Sequence, residues 1–338
     1  MHPSMRPVRL PTEHPPILQM VVDTEESFDW AAPFNREQID VSHMQYVQRL
    51  QAIADQFGVQ PIYVVDYAVA AQKAGYQPLK ALLQAGRCHI GAHLHPWVNP
   101  PHREPVTPYN AYPGNLPEPL ERAKLLALTE TIALHFGVRP TLYKAGRYGF
   151  GPNTAAILGD LGYQVDLSPS PGFDQSADGG PDHRAYPCHP FSFAAGSKRL
   201  LCLPTTGGFM GGLHGLGGRL QPWLHTPWGR RLRLGGLLSR SGLLSRMRLS
   251  PEGYELGDLQ RYSRWLWQRG ERVFTLSLHS PSWSVGNTPY VQSEAQLQHL
   301  LTTVHDYCAF FMGSMQGCYR TPEQIKQLGH WHDQHGEA

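Results

Sequence analysis

The sequence predicts an α/β fold, a barrel of the (β/α) type carrying a long basic, Gly/Arg-rich insertion. Three observations lead there. Short apolar runs alternate with segments of helical periodicity, which implies parallel strands joined by right-handed crossovers. Polar residues able to do chemistry follow several of those runs directly, at the C-terminal strand ends where such barrels keep their sites. Length and composition agree: 338 residues, 41% hydrophobic and 17% charged, can bury one large core, and 30 Pro with 34 Gly imply many loops around it.

Taken in order, residues 1–16 are polar and Pro-rich and form an N-terminal extension. The first strand, 17–22, runs into Asp23-Thr24-Glu25-Glu26. A helix follows over 42–57. Ser42 with Gln45 is a capping-box pattern, Met44, Val47, Leu50, Ala54 and Phe57 recur at helical spacing, and Gly58 ends it. Residues 61–65 form a buried strand, 78–84 a short helix, and 90–92 the strand before His93. Eight prolines between 96 and 119 forbid a regular element, so a long loop stands directly after the histidines.

Helix 118–136, strand 141–145, helix 154–161 and strand 163–167 resume the alternation. The rhythm breaks from 169 to 251, which predicts an insertion on the barrel. Between His183 and Pro251 there are ten basic residues and no acidic one, and Gly-Leu-Leu-Ser-Arg repeats at 236–240 and 242–246. Helix 256–268, strand 273–278 and helix 293–311 complete a single domain over 17–322, and 323–338 is a tail.

A net charge of +2 gives no footprint for nucleic acid. The five cysteines are scattered without CxxC pairing, as expected of reduced thiols in the cytoplasm. No run reaches the ~20 apolar residues of a membrane helix, so any membrane contact is peripheral, through the basic insertion.

Strand geometry decides which polar residues act together. Side chains repeat every two residues, so Asp23 and Glu25 share a face, as do His93 and His95. Two imidazoles and a carboxylate suit a catalytic divalent metal with an open position. Three carboxylates at a buried strand end would repel one another without a cation, so one is expected to bind metal and another to act as base. Glu26 faces elsewhere on this periodicity, but strand ends bend, and it stays a rival ligand to Glu25. His279, after the apolar run 273–278, titrates near neutrality and is the candidate general acid.

Lys144-Ala145-Gly146-Arg147-Tyr148-Gly149 ends a further strand. Arg147 is expected to hold Asp23 ionised, Tyr148 to line the pocket, and Asp166 to orient His279. Trp30, Trp97, Trp223, Trp228 and Trp283 lie in loops beside these motifs, and Trp30, Trp97 and Trp283 are candidate platforms for sugar rings. The acid-free insertion fits an anionic partner: a charged glycan, a nucleotide-linked sugar or an anionic membrane surface. It lacks the aromatic platform that single-stranded nucleic acid needs.

With these residues in place the chain resembles the polysaccharide deacetylase (NodB-homology) superfamily of carbohydrate esterases, and more narrowly its WalW-type proteins. Asp23-Thr24-Glu25 is similar to the first motif, an aspartate base followed by a metal-binding carboxylate. Gly91-Ala92-His93-Leu94-His95-Pro96-Trp97 corresponds to the metal-histidine motif. Arg147-Tyr148 is similar to the third, whose arginine positions the base, and Leu276-Ser277-Leu278-His279 to the last, which carries the general-acid histidine. The best-known members have two adjacent aspartates and two histidines four positions apart. Here Trp97 stands four after His93, so His95 must supply the second imidazole.

The resemblance implies an irregular barrel, often of seven strands. It also implies a zinc-type divalent ion held by Glu25, His93 and His95, and removal of an acyl group, N-acetyl first, from a sugar of a surface polysaccharide or its precursor. Asp23 would be the base and His279 the acid, tuned by Arg147 and Asp166. Two other readings stand beside it: a metal amidohydrolase of small cyclic C–N compounds, and a glycan-binding protein that has lost its chemistry.

Overall fold

A computed structural model describes residues 4–224 and 226–329. Its strands are β1 (Arg6–Pro7), β2 (Ile17–Thr24), β3 (Ile62–Val65), β4 (His89–Leu94), β5 (Leu142–Ala145) and β6 (Val165–Asp166), then β7 (Phe191–Ala195), β8 (Lys198–Cys202), β9 (Gly207–Met210), β10 (Ser245–Arg248), β11 (Val273–His279) and β12 (Cys318–Tyr319). The main sheet has the order β1-β7-β8-β6-β5-β4-β3-β2-β11, with β12 on β2. Seven neighbours in it, from β8 to β11, run parallel. All eight residues of β2 are buried, as a strand covered on both faces must be; this is why its sequence is a continuous apolar run rather than an alternation.

The two faces of the sheet feed two apolar clusters. Ile17, Ile62, Val64, Leu142, Val165, Leu201 and Val273 meet in one, so side chains from both ends of the parallel array converge and the sheet is curled around them. The other lies under the helices, where Leu50, Leu79, Leu125, Leu128, Ile132, Leu259 and Val304 are fully buried. At ~25 cal/mol per Å² of apolar area, each such leucine contributes about 2 kcal/mol before its cavity term.

Several expectations change. The expected insertion contains part of the frame, because β8 is the seventh parallel strand and β7 returns antiparallel to it. Gly196, at φ 64°, makes the turn between them. The helix over 42–57 begins as a 3₁₀ turn, Ser42–Tyr46, and becomes α-helical only over Gln48–Gln56. No capping box forms there; instead Asp40 accepts from the Ser42 N–H at 3.1 Å.

The helix before β4 is longer than its sequence signal, because Asp66 caps a turn at Tyr67–Ala71 that leads into Lys73–Gln84. The N-terminal extension is tied into the sheet through β1, which pairs with β7, and in the tail Pro322–Leu328 forms a capped helix. Residues 1–3 of that extension and 330–338 of the tail lie outside the described residues. Among the described residues no helix is long and apolar enough to cross a membrane.

Candidate active site

The register of the parallel strands brings the site together. Asp23 stands opposite His279 on β11, and His93 opposite Lys144 on β5, all at C-terminal strand ends. Gly146 permits the close approach of β5 to β4: a Cβ there would fall 2.3 Å from the Leu94 carbonyl oxygen and 2.6 Å from the His95 ring.

Glu25, His93 and His95 face one point. Glu25 Oε2 lies 3.5 Å from His93 Nε2 and 3.4 Å from His95 Nε2, and all three residues are buried. Donor atoms about 2.1 Å from a tetrahedral ion stand roughly 3.4 Å apart, so the spacing could hold a metal ion. The donors are also prepared. His93 Nδ1 donates to the Lys144 carbonyl oxygen at 2.9 Å and His95 Nδ1 to Glu26 Oε2 at 3.0 Å, which leaves each Nε2 lone pair facing the cluster.

Burial pushes the Glu25 carboxyl up to about 7 and, with the neighbouring His93, pushes His95 down to about 4. These are the shifts of a donor set that a cation would relieve. Glu26 stands behind His95 and accepts from Trp97 Nε1 at 2.8 Å, so it fixes the His95 ring while Glu25 faces the two Nε2 atoms. An alternative donor set, Glu26, Asp66 and His95, would use the other nitrogen of the same imidazole.

Asp23 is paired with a residue that the sequence left in the background. Lys144 Nζ donates to both carboxylate oxygens, at 2.5 and 2.7 Å, with both side chains nearly inaccessible. Burial alone would raise the Asp23 carboxyl, but Lys144, His93 and His279 outweigh it and bring it down to about 2. The expected Arg147–Asp23 pair does not form. Arg147 and Tyr148 adopt left-handed backbone, φ 53° and 59°, which swings the guanidinium over the Tyr112 ring at 4.0 Å and onto Asp178. A lysine inside a buried strand was the available signal, since such a charge requires a partner.

His279 Nε2 lies 3.7 Å from Asp23 Oδ2, and its Nδ1 is 2.7 Å from Glu252 Oε2. Burial would lower the imidazole; Glu252 first, then Glu25 and Asp23, push it up to about 10. Glu252 also accepts from the His279 N–H at 3.0 Å and from Ser282 Oγ at 2.5 Å. It takes the place expected for Asp166, which instead accepts from the Ser168 N–H and Oγ and lines a separate cavity of about 450 Å³. Glu252 is the first acid after the acid-free stretch, and that was its only mark in the sequence.

A cavity of about 280 Å³ opens over Asp23, Glu25, His93, His95 and His279. Aromatic rings wall it: Phe28, Trp30, Phe34, Trp97, Tyr112 and Tyr148. Trp30 meets His279 edge-on at 5.1 Å, and Trp97 stacks on His95 at 4.2 Å. Arg147 reaches the wall as well. Trp283 does not; it is fully buried between Tyr63 and His43, so it packs the core rather than meeting substrate. A second hollow, about 670 Å³, shares Phe28, Asp29 and Trp30 with the first.

Neither a protein-family model nor a curated protein sequence matches the chain. Solved structures do resemble it along nearly its whole length. A protein from Mycobacterium smegmatis assigned as a polysaccharide deacetylase superposes with a TM-score of 0.52 at 17% identity, covering 96% of this chain and 94% of that one. Puue allantoinase gives 0.51 at 15%, covering 95% and 92%. At such identities the likeness is one of architecture. The seven parallel strands and their curled sheet are the α/β architecture this chain shares with those two structures.

Proposed function

We propose that the protein is a metal-dependent hydrolase of non-peptide C–N bonds that removes an acyl group, N-acetyl first, from a sugar of a surface polysaccharide or its precursor. The observation that carries this reading is the union of a three-donor cluster, a lysine-paired carboxylate and a glutamate-paired imidazole in one aromatic cavity. Glu25 Oε2 and the two Nε2 atoms would hold the ion, zinc by donor type, which when bound supplies Lewis acidity and makes water a better nucleophile.

The chain's own residues do the rest. Asp23, kept ionised by Lys144, takes the proton of the attacking water. His279, kept protonated by Glu252, gives a proton to the departing amine. The two groups sit side by side with opposite protonation states, which is what base and acid require. The aromatic wall suits the apolar faces of sugar rings. Continuity across Trp30 into the second hollow favours a chain-like substrate over a small cyclic one. All five cysteines are free, in keeping with a cytoplasmic protein.

The test is metal content by plasma mass spectrometry, followed by acetate release from N-acetylated oligosaccharides. Wild type is expected to carry about one zinc-type ion, lost in His93→Ala/His95→Ala, and Asp23→Asn and His279→Ala should retain the ion but not the activity. Turnover of a confirmed substrate by those two variants at the wild-type rate would falsify the assignment.

A further inference from the structure

The described residues of 211–244 form a head on the β9–β10 stem, seated on the body where the His214 ring meets Trp265 at 5.0 Å. They leave β9 and return through β10, whose antiparallel register sets Met210 opposite Ser245. Between these ends lie three short helices, Gly217–Leu224, Pro227–Arg231 and Leu234–Arg240. Among the described residues, thirteen large hydrophobic side chains are exposed, and six belong to this head: Leu216, Trp223, Trp228, Leu232, Leu237 and Leu243. Trp223 is 57% and Trp228 71% exposed. Surface apolar residues are ordinarily scattered singly, so six within one excursion mark a contact face.

The same head exposes Arg219, Arg231, Arg233 and Arg240. No acidic residue lies between His183 and Pro251, so these guanidiniums have no carboxylate of their own segment to meet. Tryptophan favours the membrane–water boundary, leucine enters the acyl region, and arginine reaches lipid phosphates while its stem stays in apolar surroundings. We propose that this head docks the protein on an anionic lipid bilayer. A second copy of the chain fits less well, because two such heads would set arginine against arginine.

The stem ties the head to the cavity rim. Arg248 of β10 lies over the Phe173 ring at 3.9 Å and over the Tyr148 ring at 4.9 Å, and Tyr148 walls the site. A docked head is therefore linked to the cavity wall through a single strand, whatever bond the site cleaves.

Vesicle flotation with the full chain tests this. Phosphatidylcholine vesicles containing phosphatidylglycerol should carry wild type upward at low salt, and pure phosphatidylcholine vesicles should not. Arg231→Gln/Arg233→Gln/Arg240→Gln should weaken that binding on the order of 100-fold, at roughly a factor of five per arginine. Trp223→Ser/Trp228→Ser/Leu237→Ser should abolish what survives at high salt. All six positions are exposed, so both variants should keep wild-type melting temperature and metal content. Three results would overturn the proposal: no flotation with anionic vesicles, flotation undiminished in both variants, or a wild-type dimer that the apolar variant converts to monomer while vesicle binding is unchanged.

Discussion

Lys144 and Asp23 form the most consequential pair in the molecule, because each makes the burial of the other tolerable. Removing one partner strands a charge, so Lys144→Met should cost roughly 3–5 kcal/mol in denaturant melts and also remove the cation that holds the Asp23 carboxyl down. Glu252 has the converse effect on His279. In Glu252→Gln the imidazole loses its largest upward influence, and activity should decline at lower pH on the alkaline limb of kcat/KM. The same shift bears on stability. A histidine raised from 6.5 to about 10 stabilises fully below pH 6.5, and that contribution is lost as pH rises through about 10. That Asp23 shares a face with Glu25, and His93 with His95, was legible from strand periodicity, and the strand-end place of His279 from the apolar run before it. Lys144 and Glu252 were not, since their partners lie 121 and 27 residues away and only the folded register joins them.

The segment over 96–117, regular only in the 3₁₀ turn Pro113–Asn115, shows how a loop can still be a wall. Trp97, Val98 and Ala111 pack with Phe28, Phe34 and Val106. The loop is fastened by Lys124, whose ammonium meets Glu104 and the Pro96 carbonyl at 2.9 Å and the Asn99 carbonyl at 2.5 Å. Lys124→Met should therefore open 96–119 to limited proteolysis, and Arg147→Ala, which releases Tyr112 and Asp178, should raise KM more than it lowers kcat. Prolines announced that loop plainly. The β7–β8 hairpin was obscured by the basic, glycine-rich sequence that follows it, although Phe191-Ser192-Phe193 alternates as a strand should and Gly196 marks the turn. Helix periodicity served well where one face is buried, as along Leu125, Leu128 and Ile132, and less well at Tyr67–Ala71, too short to show a period.

Across the whole molecule, parallel order was implied by the alternation of strand and helix, but the curl of the sheet depends on contacts such as Ile17 with residues of distant strands, which no local pattern reports. The donor cluster joins β2 to β4 from the same side, so a bound ion should act as a staple on the native state. Chelation should lower the melting temperature, by the equivalent of about 2.7 kcal/mol if free metal had stood at 100 times its dissociation constant. The stem of β9 and β10 has a further consequence. A segment that departs at Met210 and re-enters at Ser245 passes through a single doorway, so it is a replaceable cassette. A short glycine-containing turn across the stem should leave the seven parallel strands and the donor cluster intact. The head can then be exchanged or trimmed without rebuilding the parallel sheet beneath it.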